Sequence, residues 1–130
     1  MISQQEMFNL VLEVDPTFQP VWDVFLDKWR DQIELPLYLA LRDLAQHVIG
    51  KLESGQTSEL QRIFKVVERW LADGDELVRE AATIGLLEDL QNPNFHKTTS
   101  PDQLKPWLGP LGAMQWTEVE RFWSGQISKA

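Results

Sequence analysis

Cysteine is absent from the 130-residue sequence, and histidine occurs only twice, as His47 and His96. Without cysteine the chain can form neither a disulfide framework nor a thiolate metal site. The two histidines stand far apart in sequence, and their spacing matches no metal-ligand motif. We therefore expect a chain without cofactor or metal whose fold depends on its apolar core.

Long apolar runs are also missing, since no stretch approaches the roughly 18 residues that a membrane-spanning helix requires. The N-terminal stretch contains Glu6 and Glu13 and lacks the basic region of a secretory or transit peptide. These two absences predict a cytoplasmic protein that does not span a membrane.

Positive charge is scarce, with 12 Lys and Arg against 20 Asp and Glu and a formal net charge of −8. Such a surface repels phosphate, and the basic residues form no stripe along the chain, so we expect no nucleic-acid binding. Complementary fields speed the encounter of oppositely charged proteins. The charge balance therefore favours a basic protein partner.

Recognised catalytic motifs are lacking as well: there is no phosphate-binding loop, zinc-protease helix, nucleophile elbow or EF-hand loop. The adjacent acids Glu88 and Asp89 would point about 100° apart on a helix and so would not converge on one substrate. We expect a protein that is not an enzyme.

What the sequence does contain is apolar residues at helical spacing in nearly every segment, without the long alternation of a strand. This pattern predicts an all-α protein, one domain over residues 1–130, with about six to seven helices. Short connections, such as the glycine loop at Gly55 and the link at Gly74, predict antiparallel hairpins. The expected architecture is either a HEAT-like α-solenoid fragment or an irregular helical bundle.

Local signals place several helix boundaries and contacts. The helix preceding Pro16 ends near Asp15, and the next helix presents an aromatic stripe that must be buried. Gly74 has the position of a C-terminal αL residue, and Asp75 that of the following N-cap. Gly85 inside a helix predicts close packing against a neighbour. The stripe consists of Phe18, Trp22, Phe25 and Trp29.

Glu88 stands among apolar residues, on a helix that is apolar nearly all round in its C-terminal half. We expect it to be at least partly buried, with Arg42 or Arg62 on the preceding helices as its partner and His47 as a weaker candidate. A structural ion pair is the simpler interpretation, and a catalytic acid is the alternative.

Two acidic groups and a set of tryptophans are candidate surfaces. The acids could be plain solvated faces or could await a cationic partner. The tryptophans could pack in the core or remain exposed as interface anchors. The acids are Asp23, Asp27, Asp31 and Glu34 in the first group and Asp73, Asp75, Glu76 and Glu80 in the second; the tryptophans are Trp107, Trp116 and Trp123.

The stretch ELVREAATIGLLEDLQN follows VVERWLADGD and precedes a late WLGP and a terminal aromatic cluster. Over most of its length the chain thereby resembles a family of small bacterial all-helical proteins. That family carries the pattern V-R-x-x-A-x-x-G-x-L-E-x-L on a buried helix. The matching residues are Val78, Arg79, Ala82, Gly85, Leu87, Glu88 and Leu90.

Members of that family are similar to immunity proteins encoded beside polymorphic or contact-dependent toxins. The resemblance implies an immunity protein that neutralises a cognate toxin by direct binding, and both acidic groups would be tested first. Two alternatives remain: a helical adaptor or scaffold that binds a cellular protein, and a small-molecule binder with a tryptophan-lined pocket.

Overall fold

The computed structural model describes residues 1–124, which form a single all-α domain. No β-strand occurs in this range, and the described helices include none long and apolar enough to cross a bilayer. The α-helices are α1 (Gln4–Val14), α2 (Gln19–Lys28), α3 (Leu37–Glu53), α4 (Leu60–Asp73), α5 (Glu76–Glu80), α6 (Glu88–Leu90) and α7 (Pro110–Trp123). A π-helix (Ala81–Leu87) joins α5 to α6, and short 3-10 segments cover Pro16–Phe18, Pro93–Phe95 and Pro101–Trp107.

The predicted aromatic stripe forms the junction between α1 and α2. Phe8 of α1 stacks on Trp22 with ring centroids 4.5 Å apart, and Trp22 stacks in turn on Phe25 at 5.6 Å. Phe18 is fully buried and Trp29 is half-buried. Burial of large aromatic rings supplies much of the stabilisation that holds α2 on the core.

The predicted close approach at Gly85 is confirmed. A Cβ atom at this position would lie 2.8 Å from Cδ1 of Leu41 and 3.1 Å from Cδ1 of Tyr38. The missing side chain therefore lets α3 approach the π-helix, which is its closest neighbour in the fold.

Several of the longer helices pack most extensively on helices that are distant in sequence. Besides the α3 and π-helix contact, α4 packs on α7 and on α1. This arrangement is that of an irregular bundle, one of the two expected architectures. A solenoid would instead stack each hairpin on the next.

The corner between α4 and α5 differs in part from expectation. Asp75 is the predicted N-cap and accepts a hydrogen bond from the Val78 amide at 2.9 Å. Gly74, however, has φ −71° rather than a left-handed conformation, and it is needed for space because a Cβ would lie 2.3 Å from the Trp70 carbonyl oxygen. Ile2 pairs with this corner, donating from its amide to the Asp73 carbonyl at 2.8 Å.

Two glutamates of the long helices hold the C-terminal third in place. Glu53 of α3 accepts hydrogen bonds from the Thr98 amide at 3.0 Å and the Thr99 hydroxyl at 3.1 Å. Glu68 of α4 accepts from the amides of Leu111 at 2.6 Å and Gly112 at 3.0 Å, which are orphan donors of the first turn of α7. These contacts position α7 beside the π-helix.

Candidate functional site

The predicted buried pair between Glu88 and an arginine does not form. Glu88 is half-buried, Arg62 is exposed, and the guanidinium of Arg42 lies 3.9 Å from Asp89 instead. Helical projection placed Glu88 on one face with Leu77 and Ile84, and none of the three is fully buried, although a π-helix with i to i+5 hydrogen bonds runs over Ala81–Leu87. The failed assumption was that neighbouring helices enclose this face.

Enclosure also fails for two apolar residues of this face, whereas Ala81 on the same face is fully buried. Leu77 and Ile84 lie on the face expected to be enclosed, yet each is 45% exposed. The Arg42 side chain is itself more than half exposed and also stands over the Phe95 ring, 5.7 Å from its centroid. Glu88, Arg42 and Arg62 are therefore not the buried polar cluster of this protein.

That cluster is centred on Asp15, which is fully buried at the end of α1. Its carboxylate lies 2.9 Å from His47 Nε2 and 3.8 Å from Lys51 Nζ, and it accepts hydrogen bonds from the Thr17 amide and hydroxyl. Lys51 is only 5% exposed and also lies 3.6 Å from Glu59 Oε1. The cluster thus joins α1, α3 and the start of α4.

Two opposing effects set the pKa of Asp15. Burial raises it, but hydrogen bonds from Thr17 and His47 and the charges of His47 and Lys51 outweigh burial and hold the pKa below its ordinary value. This cluster was not predicted from the sequence, because Asp15 precedes a proline and marks a helix end. The available signal was His47 and Lys51, four residues apart on one face of α3.

The open surface beside the π-helix has the features of a binding site. Two adjoining depressions of about 500 and 420 Å³ lie between this helix and α7 and share Thr83 and Ile84. Together they form one groove, here called the α7 groove, from Glu76 and Leu111 at one end to Glu88 and Phe122 at the other. Its apolar residues are Leu71, Ile84, Leu111, Val119 and Phe122.

The edges of the α7 groove are mainly acidic. Glu76, Glu80, Glu88 and Glu118 line it, and Arg79 is the sole cation among the described lining residues. Glu118 has a neighbour of opposite charge, Arg121, at 3.3 Å. The glutamates also act on Tyr38 nearby. Burial raises the pKa of its hydroxyl, and the charges of Glu80 and Glu88 raise that pKa further.

Exposed aromatic side chains stand at the Phe122 end of the groove. Phe122 is 52% exposed and Trp123 is 61% exposed, and their rings meet edge to face with centroids 5.6 Å apart. Of the three tryptophans singled out in the sequence, Trp116 is buried in the core, Trp107 is half-buried and Trp123 is exposed. Only Trp123 thus has the exposure that an interface anchor needs.

The candidate acids lie in two places. Asp23, Asp27, Asp31 and Glu34 are all exposed on α2 and the following loop, where Gln19 donates to Asp23 at 2.8 Å and Arg30 pairs with Asp27 at 2.8 Å. Of the second group, Glu76 and Glu80 line the α7 groove, Asp73 is exposed beside it, and Asp75 is occupied as a helix cap.

A smaller cavity of about 260 Å³ lies between α1 and the start of α3, lined by Phe8, Trp22 and Ile33 among others. The Trp22 ring stacks against Phe8 and Phe25, which leaves less of the indole for a ligand to stack on. This geometry does not favour the tryptophan-lined ligand pocket considered from the sequence.

Side chains suited to hold a metal do not converge in residues 1–124, where no group of three histidine or acidic residues has the required arrangement.

The model of the DUF7674 family, described as a domain of unknown function, matches residues 8–124, and the chain belongs to this family. Neither a curated protein nor a solved structure matches the chain significantly.

Proposed function

We propose that this DUF7674 protein is a non-enzymatic protein-binding domain that acts as an immunity protein, neutralising a basic toxin domain by direct contact. The observation that carries the proposal is the α7 groove, where an apolar surface edged by glutamates is continued by the exposed rings of Phe122 and Trp123. Apolar and aromatic anchors supply affinity at protein interfaces, and the surrounding charges supply specificity and speed of association.

A basic partner would gain from both parts of this surface. Its apolar side chains would cover Ile84, Val119 and Phe122, and its Lys or Arg side chains would meet Glu80 and Glu88. Because neither of these glutamates forms an ion pair with a residue in the described range 1–124, as Asp27 does with Arg30, we expect them to contribute more to binding than the α2 acids.

The first test concerns the product of the gene adjacent to the one that encodes this chain. We expect it to be toxic when expressed alone, to be neutralised on co-expression, and to form a purified complex whose affinity falls as salt is raised, since charge pairs are screened. An adjacent product that is harmless or does not bind would contradict the immunity proposal. Stable capture of a cellular housekeeping protein instead would favour the adaptor.

The second test places the partner on this surface by charge reversal. The double variant Glu80→Lys with Glu88→Lys should weaken the complex by about tenfold or more, measured by isothermal titration. The matched control, Asp27→Lys with Asp31→Lys, changes the net charge equally on α2 and should have a much smaller effect. A larger loss from the control would place the partner on the α2 acids, and equal losses would show that only overall charge matters.

A further inference from the structure

We infer that the α7 groove binds an α-helical segment of its partner that is apolar along one stripe and basic on both flanks. The inference rests on the proposed function in one respect, because it assumes that the groove is the partner's binding site. The shape of the groove, its hydrogen-bonding capacity and its charges each limit the kind of segment that can bind there.

The groove has the length of a short helix. Its α7 side runs from Leu111 to Phe122, which at 1.5 Å per residue is roughly 17 Å, or about three helical turns. A third helix laid between the two lining helices would pack as helices pack elsewhere in proteins, at interaxial distances of about 8–10 Å.

An extended segment would be poorly bound in the same place. Both sides of the groove are helices, whose backbone N–H and C=O groups are already paired within each helix. A bound strand gains affinity by pairing with an exposed sheet edge, and these walls offer none. A bound helix brings its own backbone pairs and presents only side chains.

The side chains of the groove specify the pattern of that helix. Ile84, Val119 and Phe122 form the apolar part, which suits Leu, Met or Phe at positions i, i+3 or i+4, and i+7 of the ligand. Glu80 on one side and Glu118 on the other suit Lys or Arg on the two flanks. Arg79 would favour an acidic or neutral residue where the ligand passes it.

A second copy of this chain fits less well. Self-association of two copies through their grooves would bring Glu76, Glu80 and Glu88 of one copy near the same carboxylates of the other, with Arg79 as the sole cation in the described lining. Close like charges at an interface are costly. Charge complementarity therefore points to a basic partner.

The probe for this inference is a fluorescent synthetic peptide of about 14 residues, enough for roughly four turns, with Leu at helical spacing and Lys on both flanks. One control peptide has the same composition with the Leu positions scattered, and another carries a central Pro. Fluorescence anisotropy should show binding of the first peptide and at least about tenfold weaker binding of both controls. Circular dichroism should show that the bound peptide gains helix.

Variants of the protein locate the peptide. Ile84→Asp, at a half-exposed position in the groove, should weaken binding by about tenfold or more, whereas Val24→Asp, at a 69% exposed position on α2, should leave it unchanged. Far-UV circular dichroism checks that both variants fold.

Three outcomes would overturn the inference. They are equal binding of the scattered peptide, binding unaffected by Ile84→Asp, and self-association of the chain that Ile84→Asp abolishes, which would make the groove an interface between two copies. Failure of the peptide while the adjacent gene product still binds in a manner sensitive to Glu80 and Glu88 would refute the helical ligand and leave the proposed function standing.

Discussion

At the scale of single residues, Asp15 and Asp89 provide a matched comparison of two poorly solvated carboxylates. Asp15 is fully buried beside Lys51, His47 and Thr17, so Asp15→Asn would leave the buried Lys51 ammonium with Glu59 as its one remaining acidic partner among residues 1–124. We expect a loss of about 3 kcal/mol in the free energy of unfolding, near the lower end of the cost of breaking a buried pair. Urea denaturation at neutral pH measures it.

Asp89→Asn is the control for that loss. Burial raises the pKa of Asp89 although Arg42 lowers it, so its charge is poorly compensated in the folded protein. Arg42 is itself more than half exposed and stays solvated when its partner is neutralised. The substitution should change stability by no more than about 1 kcal/mol. Equal losses at both positions would refute the special role of the Asp15 cluster.

The same carboxylate predicts how stability depends on pH. The pKa of Asp15 is lower in the folded protein than its ordinary value of 3.8, so the unfolded chain binds the proton more readily. The contribution of Asp15 is therefore present above that value and is lost as pH falls through the folded pKa. Urea denaturation at about pH 7 and pH 3 should show a larger fall for the natural sequence than for Asp15→Asn. An equal loss of unfolding free energy in the two proteins would contradict the assignment of this pH dependence to Asp15.

At the scale of secondary-structure elements, α7 depends on a cap supplied by another helix. Glu68→Ala removes the carboxylate that accepts from the amides of Leu111 and Gly112, and should cost about 1–2 kcal/mol, as loss of a helix cap does. Hydrogen exchange should then quicken in the first turns of α7, and affinity for a groove ligand should fall. Glu13→Ala, at an exposed position of α1, is the control and should stay within about 0.5 kcal/mol.

Element boundaries were predictable where proline or glycine acts locally. Asp15-Pro16 ends α1, Pro36 precedes α3, and Gly55, with φ 75°, follows the end of that helix. The π-helix over Ala81–Leu87, against which α3 and α7 pack, was not predicted from the sequence. Leu77 and Ile84 are exposed because none of the helices in residues 1–124 encloses that face, whereas Glu88 is half-buried, in line with the expected partial burial.

At the scale of the whole molecule, one continuous core should make unfolding a single cooperative step. Buried residues of α1, α3, α4 and α7 belong to the same cluster, and Ile2 ties the start of the chain to the corner at Gly74. Tryptophan fluorescence and far-UV circular dichroism should give coincident urea transitions. Separate midpoints would show that part of the chain unfolds independently.

The sequence alone determined the helical class, the packing of the aromatic stripe of α2 against the core, the N-cap at Asp75 and the close approach at Gly85. These features follow from the period of the apolar residues and from backbone preferences, both of which depend on residues close together in the sequence. Only the tertiary structure decided that Asp15 meets His47 and Lys51, that Glu76, Glu80, Glu88 and Glu118 edge one groove, and that Trp123 is exposed while Trp116 is buried. Such groupings depend on which helix faces pack together. For helices distant in sequence, that packing is set by how all the apolar faces are buried in one core.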